Sequence, residues 1–148
     1  WYQNLTQLFI FRLDRMKDEM MKRFHKNDIQ ELKEFLYNSC VHDARLDSIE
    51  YHCGKGSLSI QLFHLTFNTE ICLTVQGIEI ALAIKGKRYG SSETVISLTV
   101  EEDFSYLQTC LPQCNEYMEE SLYLLLQMFS GDEMHIVSKE VAVEIITM

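Results

Sequence analysis

The spacing of apolar positions changes period near residue 40. Before that point, Leu5, Leu8, Phe9, Leu13, Met16, Met20 and Phe24 recur at intervals of three and four, which predicts one long helix over residues 3–25 with a single apolar stripe. Arg12, Arg15, Asp18, Glu19, Lys22 and Arg23 fall mostly on the rest of the wheel. Lys26-Asn27-Asp28 breaks the pattern. Asp28 is then placed to cap a second, shorter helix over residues 29–37, with Glu31 at the third position of a capping box and Leu32, Phe35 and Leu36 as the apolar face. Asn38-Ser39 ends it.

From residue 46 onward the period is two. Ile49, Tyr51 and Cys53 share a face of a strand over 46–53, and Gly54-Lys55-Gly56-Ser57 supplies positive-φ positions for a tight turn. Leu58, Ile60, Leu62 and His64 alternate with Ser59, Gln61 and Phe63, the clearest strand pattern in the chain. Asn68-Thr69 is a second turn. A third strand over 71–75 is interrupted at Gly77 by a bulge or bend, and 78–84 suits a strand or a short buried helix. Residues 86–92 form a basic loop, and 94–100 is β-rich again. The stretch 101–115 is hard to read; Pro112 rules out a continuous helix there. Residues 121–129, a turn at Ser130-Gly131-Asp132-Glu133, and 134–146 close the chain as strands. The expected fold is therefore α+β: one domain over 1–148, with a helical segment 1–39, long helix plus short, packed on a mainly antiparallel meander of about six or seven strands over 40–148.

Composition narrows the class. The 148 residues are 47% hydrophobic with one Pro and six Gly, enough for one real core and little linker. Charges interrupt every apolar run before the ~18 residues of a membrane span. No basic, signal-like N-terminal region is seen. Five scattered cysteines, Cys40, Cys53, Cys72, Cys110 and Cys114, fit free thiols in a reducing cytoplasm better than a disulfide framework. The net charge of −9 is uneven: residues 1–39 hold seven Lys/Arg against six Asp/Glu, and residues 40–148 hold six against sixteen. So acidic a second part disfavours nucleic acid and favours a basic partner.

Candidate chemistry is sparse. Cys40, His42 and Asp43 form a compact polar group; Cys and His two apart can share a metal, and Asp can orient His as a base. No spacing completes a ligand set, so the plainer expectation is a structural corner in which Asp43 accepts backbone N–H bonds and His42 packs over it. His52-Cys53, and His64 with Cys72 across a hairpin, are possible Cys/His pairs, with buried thiols as the ordinary alternative. Cys110-Leu-Pro-Gln-Cys114 has neither redox nor zinc-knuckle spacing. The Gly86–Ser92 loop is a candidate anion cup without the phosphate-loop pattern. Met16, Met20 and Met21 offer an adaptable partner groove or simply a core-facing stripe. Glu101, Glu102, Asp103, Glu116, Glu119 and Glu120 are the candidate partner-binding residues, or an ordinary solvated edge. No catalytic residue, metal ligand or cofactor is assigned.

Tyr37, His42-Asp43-Ala44-Arg45-Leu46 and Ile49-Glu50-Tyr51, followed by a Gly turn and the Leu58-Ile60-Leu62 strand, resemble a group of small uncharacterised bacterial β-domains that share a His-Asp-Ala opening to a sheet. The pattern of 122–129, a turn, then 134–145 is similar too, so the resemblance covers roughly residues 37–147. Some such proteins accompany bacterial toxins as immunity partners; others have no known role. The resemblance implies no activity. The reading is a cytoplasmic, non-enzymatic protein-binding module, an immunity protein facing a basic toxin domain through its acidic surface, with no nucleic acid or membrane partner. The alternatives are a small metal-dependent or Cys/His hydrolase built on Cys40, His42 and Asp43, and a structural homodimer joined through the N-terminal helix.

Overall fold

Two long strands, Thr69–Ile84 (β4) and Glu133–Thr147 (β7), pair antiparallel along almost their whole lengths and carry the rest of the molecule. The computed structural model describes residues 18–86, 90–91, 93–117 and 119–148. Around the central pair lie Asp18–Phe24 (β1), Ile29–Tyr37 (α1), Arg45–His52 (β2), Ser57–His64 (β3), Val95–Glu101 (β5), Ser105–Cys110 (α2) and Leu122–Met128 (β6). The sheet order is β2-β3-β4-β7-β6-β5, with β1 also on β7. This is not one meander. It is two three-stranded meanders, β2–β3–β4 and β5–β6–β7, joined through their long last strands.

The edges of this sheet approach each other. The Asp43 N–H donates to Val95 O at 3.0 Å, the Val95 N–H to Ala44 O at 2.9 Å and the Leu46 N–H to Glu93 O at 2.6 Å, and Arg45 bridges Thr94 antiparallel. The start of β2 is thus tied to the start of β5, and backbone groups that would face solvent at two edges are satisfied against one another.

Both central strands bend at the same level. Gly77 has φ +65°, and a Cβ there would lie 2.9 Å from the Lys139 Cβ, so close approach and a left-handed backbone both call for glycine. Inward residues of β4 run Ile71, Leu73, Val75 and then Ile78, a step of three rather than two. In β7 the inward set passes from Ile136 to Val141, a step of five. Each strand therefore presents opposite parity on either side of the bend. One face of the sheet closes on the main core of β3, β4, β5, β6, β7 and the Leu32 and Leu36 face of α1. Beyond the bend, the outer face carries a second cluster, Ile80, Tyr123 and Val137, covered by Phe104 and by Leu107 of α2.

The helix expected over residues 3–25 is corrected where it is described: 18–24 is strand β1, paired from Asp18↔Thr147 to Phe24↔Val141. Met, Lys, Arg and Glu are good helix formers, but propensity is worth only tenths of a kcal/mol per residue, about 0–0.7, and pairing with the open edge of β7 overrides it. Phe24 still turns inward, 5.5 Å from the Phe35 ring of α1. The earlier part of that helix, Leu5 to Met16, lies outside the described residues. Helix α1 occupies the expected residues, but Asp28 does not cap it as expected; its Oδ2 accepts the His25 N–H at 3.0 Å, closing the 3-10 turn Lys26–Asp28. The segment 78–84 is strand, not helix, because β7 pairs with it to Glu133. The opaque stretch after Glu101 is the short helix α2 and a 3-10 turn, Pro112–Glu116.

Candidate functional site

The His42-Asp43 corner sits where β2 and β5 are tied. Asp43 takes a left-handed conformation, φ +67°. The His42 Nδ1–H donates to Ile96 O at 2.6 Å, while Nε2 stands 3.5 Å from Asp43 Oδ1. Asp43 contributes its own N–H, donated to Val95, rather than a carboxylate that collects backbone donors. Both side chains are well exposed, 67% and 59%. The arrangement clips two strand starts together. Among the described residues, no group of three or more His, Cys, Asp or Glu side chains is placed to hold a metal ion.

The expected cysteine–histidine pairs do not form as pictured. Cys72 lies opposite Gln61, and His64 opposite Thr69. The His64 Nδ1 accepts the Phe67 N–H at 3.3 Å. Burial, with Glu70 and Glu144 nearby, pushes the Cys72 thiol up to about 11, the opposite of an activated thiolate. His52 and Cys53 are exposed, and His52 Nε2 lies 3.8 Å from Glu50. Cys110 is exposed at the end of α2.

Residues 87–89 and 92 of the basic loop are outside the described residues. Its described start binds the chain's own carboxylate: the Gly86 N–H donates to Asp132 Oδ1 at 2.6 Å and Lys85 Nζ donates to Oδ2 at 3.0 Å. These bonds hold the Asp132 carboxyl below its usual range.

All six acidic candidates fall at or within the β5–β6 crossover, whose ends meet at the pair Glu101↔Tyr123. No Lys, Arg or His occurs between Glu101 and Ser121. Several of the six already have structural contacts. Glu101 accepts the Thr99 hydroxyl at 2.8 Å. Glu102 ties the crossover to α1 through Lys33 at 3.3 Å and Gln30 at 3.4 Å. Asp103 accepts both the N–H and the hydroxyl of Ser105 at the start of α2, which lowers its pKa. Glu120 lies 3.4 Å from Lys139, whose ammonium also pairs with Glu79 at 3.0 Å. Glu116 and Glu119 are exposed.

A polar chain that sequence reasoning missed crosses the outer face of β5, β6 and β7. The Ser97 hydroxyl donates to Gln127 Oε1 at 3.1 Å, and Gln127 Nε2 donates to Glu133 Oε1 at 3.3 Å. The His135 Nε2–H donates to Glu133 Oε2 at 2.9 Å, and the Tyr123 hydroxyl donates to His135 Nδ1 at 2.5 Å. Tyr123 and His135 are each only 2% exposed. Tyr106 of α2 stacks on the His135 ring at 5.0 Å. Burial, aided by the Glu101 and Glu133 carboxylates, raises the Tyr123 hydroxyl pKa far above its usual value, so Tyr123 stays a neutral donor. The one signal that could have found it is the Glu133-x-His135 spacing, two residues on one strand face, but Glu133 reads as part of the preceding turn and is instead the first residue of β7.

No protein-family model matches the chain, and no curated protein matches it. Among the described residues no helix is long and apolar enough to cross a membrane.

Proposed function

We propose that the chain is a non-enzymatic protein-binding module that docks a basic protein domain on the β5–β6 crossover. One observation carries this reading: six carboxylates gathered on one connection that has no basic residue of its own. Such a patch speeds encounter with a basic surface and makes association depend on salt. The resemblance drawn from the sequence supplies a partner class, a bacterial toxin domain neutralised by an immunity protein. The test is calorimetry against the purified basic product of an adjoining reading frame, at low and high salt. Wild-type protein binds more weakly as salt rises, and a Glu116→Gln/Glu119→Gln/Glu120→Gln variant loses both affinity and salt dependence. A variant that binds as wild type removes the crossover from the interface.

A homodimer is favoured by a different observation. A groove of about 560 Å³ is lined in part by Met20, Phe67 and Ile145. Leu65, Phe67 and Met148, in the β3–β4 turn and at the chain end bonded to it, are exposed by 80%, 60% and 53%. Apolar surface of this kind marks interfaces. Light scattering tests it: a dimer that Phe67→Ser converts to monomer supports this reading, and a monomeric wild type rejects it.

A further inference from the structure

The sheet stays open along one side of β4. Among the described residues, β3 pairs with β4 only as far as Gln76, and the Ile78 N–H donates to Gly56 O at 3.0 Å. From there to Ile84, β4 continues with β7 on one side and, among the described residues, no strand on the other. Every second residue of 79–84 turns its N–H and C=O toward that open side. Sheet edges usually carry Lys, Pro or inward charges that discourage pairing. This one reads Ile80-Ala81-Leu82-Ala83-Ile84, with charge only at its two ends, Glu79 and Lys85. Ala81 and Ala83 are exposed. Ala83 also borders an opening of about 330 Å³ whose walls include Leu46, Ile49 and Met134. Unpaired backbone and apolar surface therefore lie side by side.

The run from Ile80 to Ile84 reads the same in both directions about Leu82. We propose that β4 pairs antiparallel with β4 of a second copy of the chain, across a two-fold axis at Leu82, so that two sheets become one. Directly opposed residues of an antiparallel pair either both exchange backbone bonds or both turn away, so a strand pairs with its own copy about a residue and not about a peptide bond. About Leu82, Ala81 faces Ala83 of the second copy, Ile80 faces Ile84, and Glu79 faces Lys85. Glu79 and Lys85 keep their partners within the chain, Lys139 and Asp132, each at 3.0 Å. Their opposite signs across the axis favour this register over one in which either charge faces an apolar side chain. Leu82 packs at the margin of the Ile80, Tyr123 and Val137 cluster, so the contact at the axis joins the two outer clusters. This interface is separate from both the acidic crossover and the Phe67 groove.

Light scattering of the full chain at about 1 mM, where even a weak interface assembles, tests it. The wild type is a dimer. Ala81→Lys/Ala83→Lys sets Lys opposite Lys on both sides of the axis and gives a monomer. Ala81→Glu/Ala83→Lys sets Glu opposite Lys in the same register and restores the dimer, a rescue that no other interface would show. Phe67→Ser leaves this dimer intact, which separates it from one formed through the Phe67 groove. A monomeric wild type, a dimer that Phe67→Ser dissociates, a folded Lys/Lys variant that stays dimeric, or a Glu/Lys variant that stays monomeric overturns the proposal. If the variants fail to fold, amide hydrogen exchange of the wild-type chain decides it: exchange within residues 79–84 slows as concentration rises, and exchange there that is independent of concentration overturns the pairing.

Discussion

Two of the molecule's histidine–carboxylate pairs, His42–Asp43 and His135–Glu133, differ in their surroundings, and only the first stands out in the sequence. His42 and Asp43 are neighbours in the chain, stand 3.5 Å apart, and are more than half exposed. His135 and Glu133 are separated by one residue, meet at 2.9 Å, and the histidine is buried. In water a pair like the first contributes little, because solvent competes for every bond. In the second, the imidazole is sealed from solvent and only the carboxylate is partly exposed, so a missing bond at the ring carries a desolvation cost. Adjacency in sequence is thus a poor guide to chemical consequence; burial decides it.

Substitutions can break or sharpen this contrast. The largest effect is expected for His135→Leu, which leaves the Tyr123 hydroxyl and one Glu133 oxygen without their partner; a loss of about 3 kcal/mol is expected. Urea denaturation with an unchanged slope measures it. Tyr123→Phe removes one donor and keeps the ring packed beneath Phe104, so a loss of about 1.5 kcal/mol is expected by the same measurement. His42→Ala gives up a single exposed clip to Ile96 and should cost about 0.5 kcal/mol. A cost at His42 equal to that at His135 would show that the β2–β5 tie holds the fold as strongly as the buried chain does, and the contrast would collapse. A Tyr123→Phe variant as stable as wild type would show that the hydroxyl contributes nothing net.

The same contrast explains what could be read in advance. The alternation from Leu58 to His64 was legible because one face of β3 is sealed in the core and the other is partly solvated. Helix α1 was legible because Leu32, Phe35 and Leu36 recur on one side of a short run with a break at each end. Gly56, at φ +59°, lies in the expected turn for the reason that made it a turn residue. Residues 18–24 misled because their Met, Lys, Arg and Glu side chains carry helical spacing, while the edge that recruits them is about 120 residues away in the chain. The crossover after Glu101 was opaque because α2 is short and is positioned by Phe104 and Leu107 on a surface that exists only after the bend at Gly77.

The sequence alone determined the local states: which runs alternate, where turns fall, and that the acidic charge is concentrated after residue 39. Those properties depend on a few neighbouring residues and on whether one side is dry. The tertiary structure decided that β7 stands between β4 and β6, that β1 is a strand, and that Tyr123, His135 and Glu133 form one chain under Tyr106. Each of these depends on the register between strands distant in sequence, where a slip of a single residue would turn the same side chains to the opposite face.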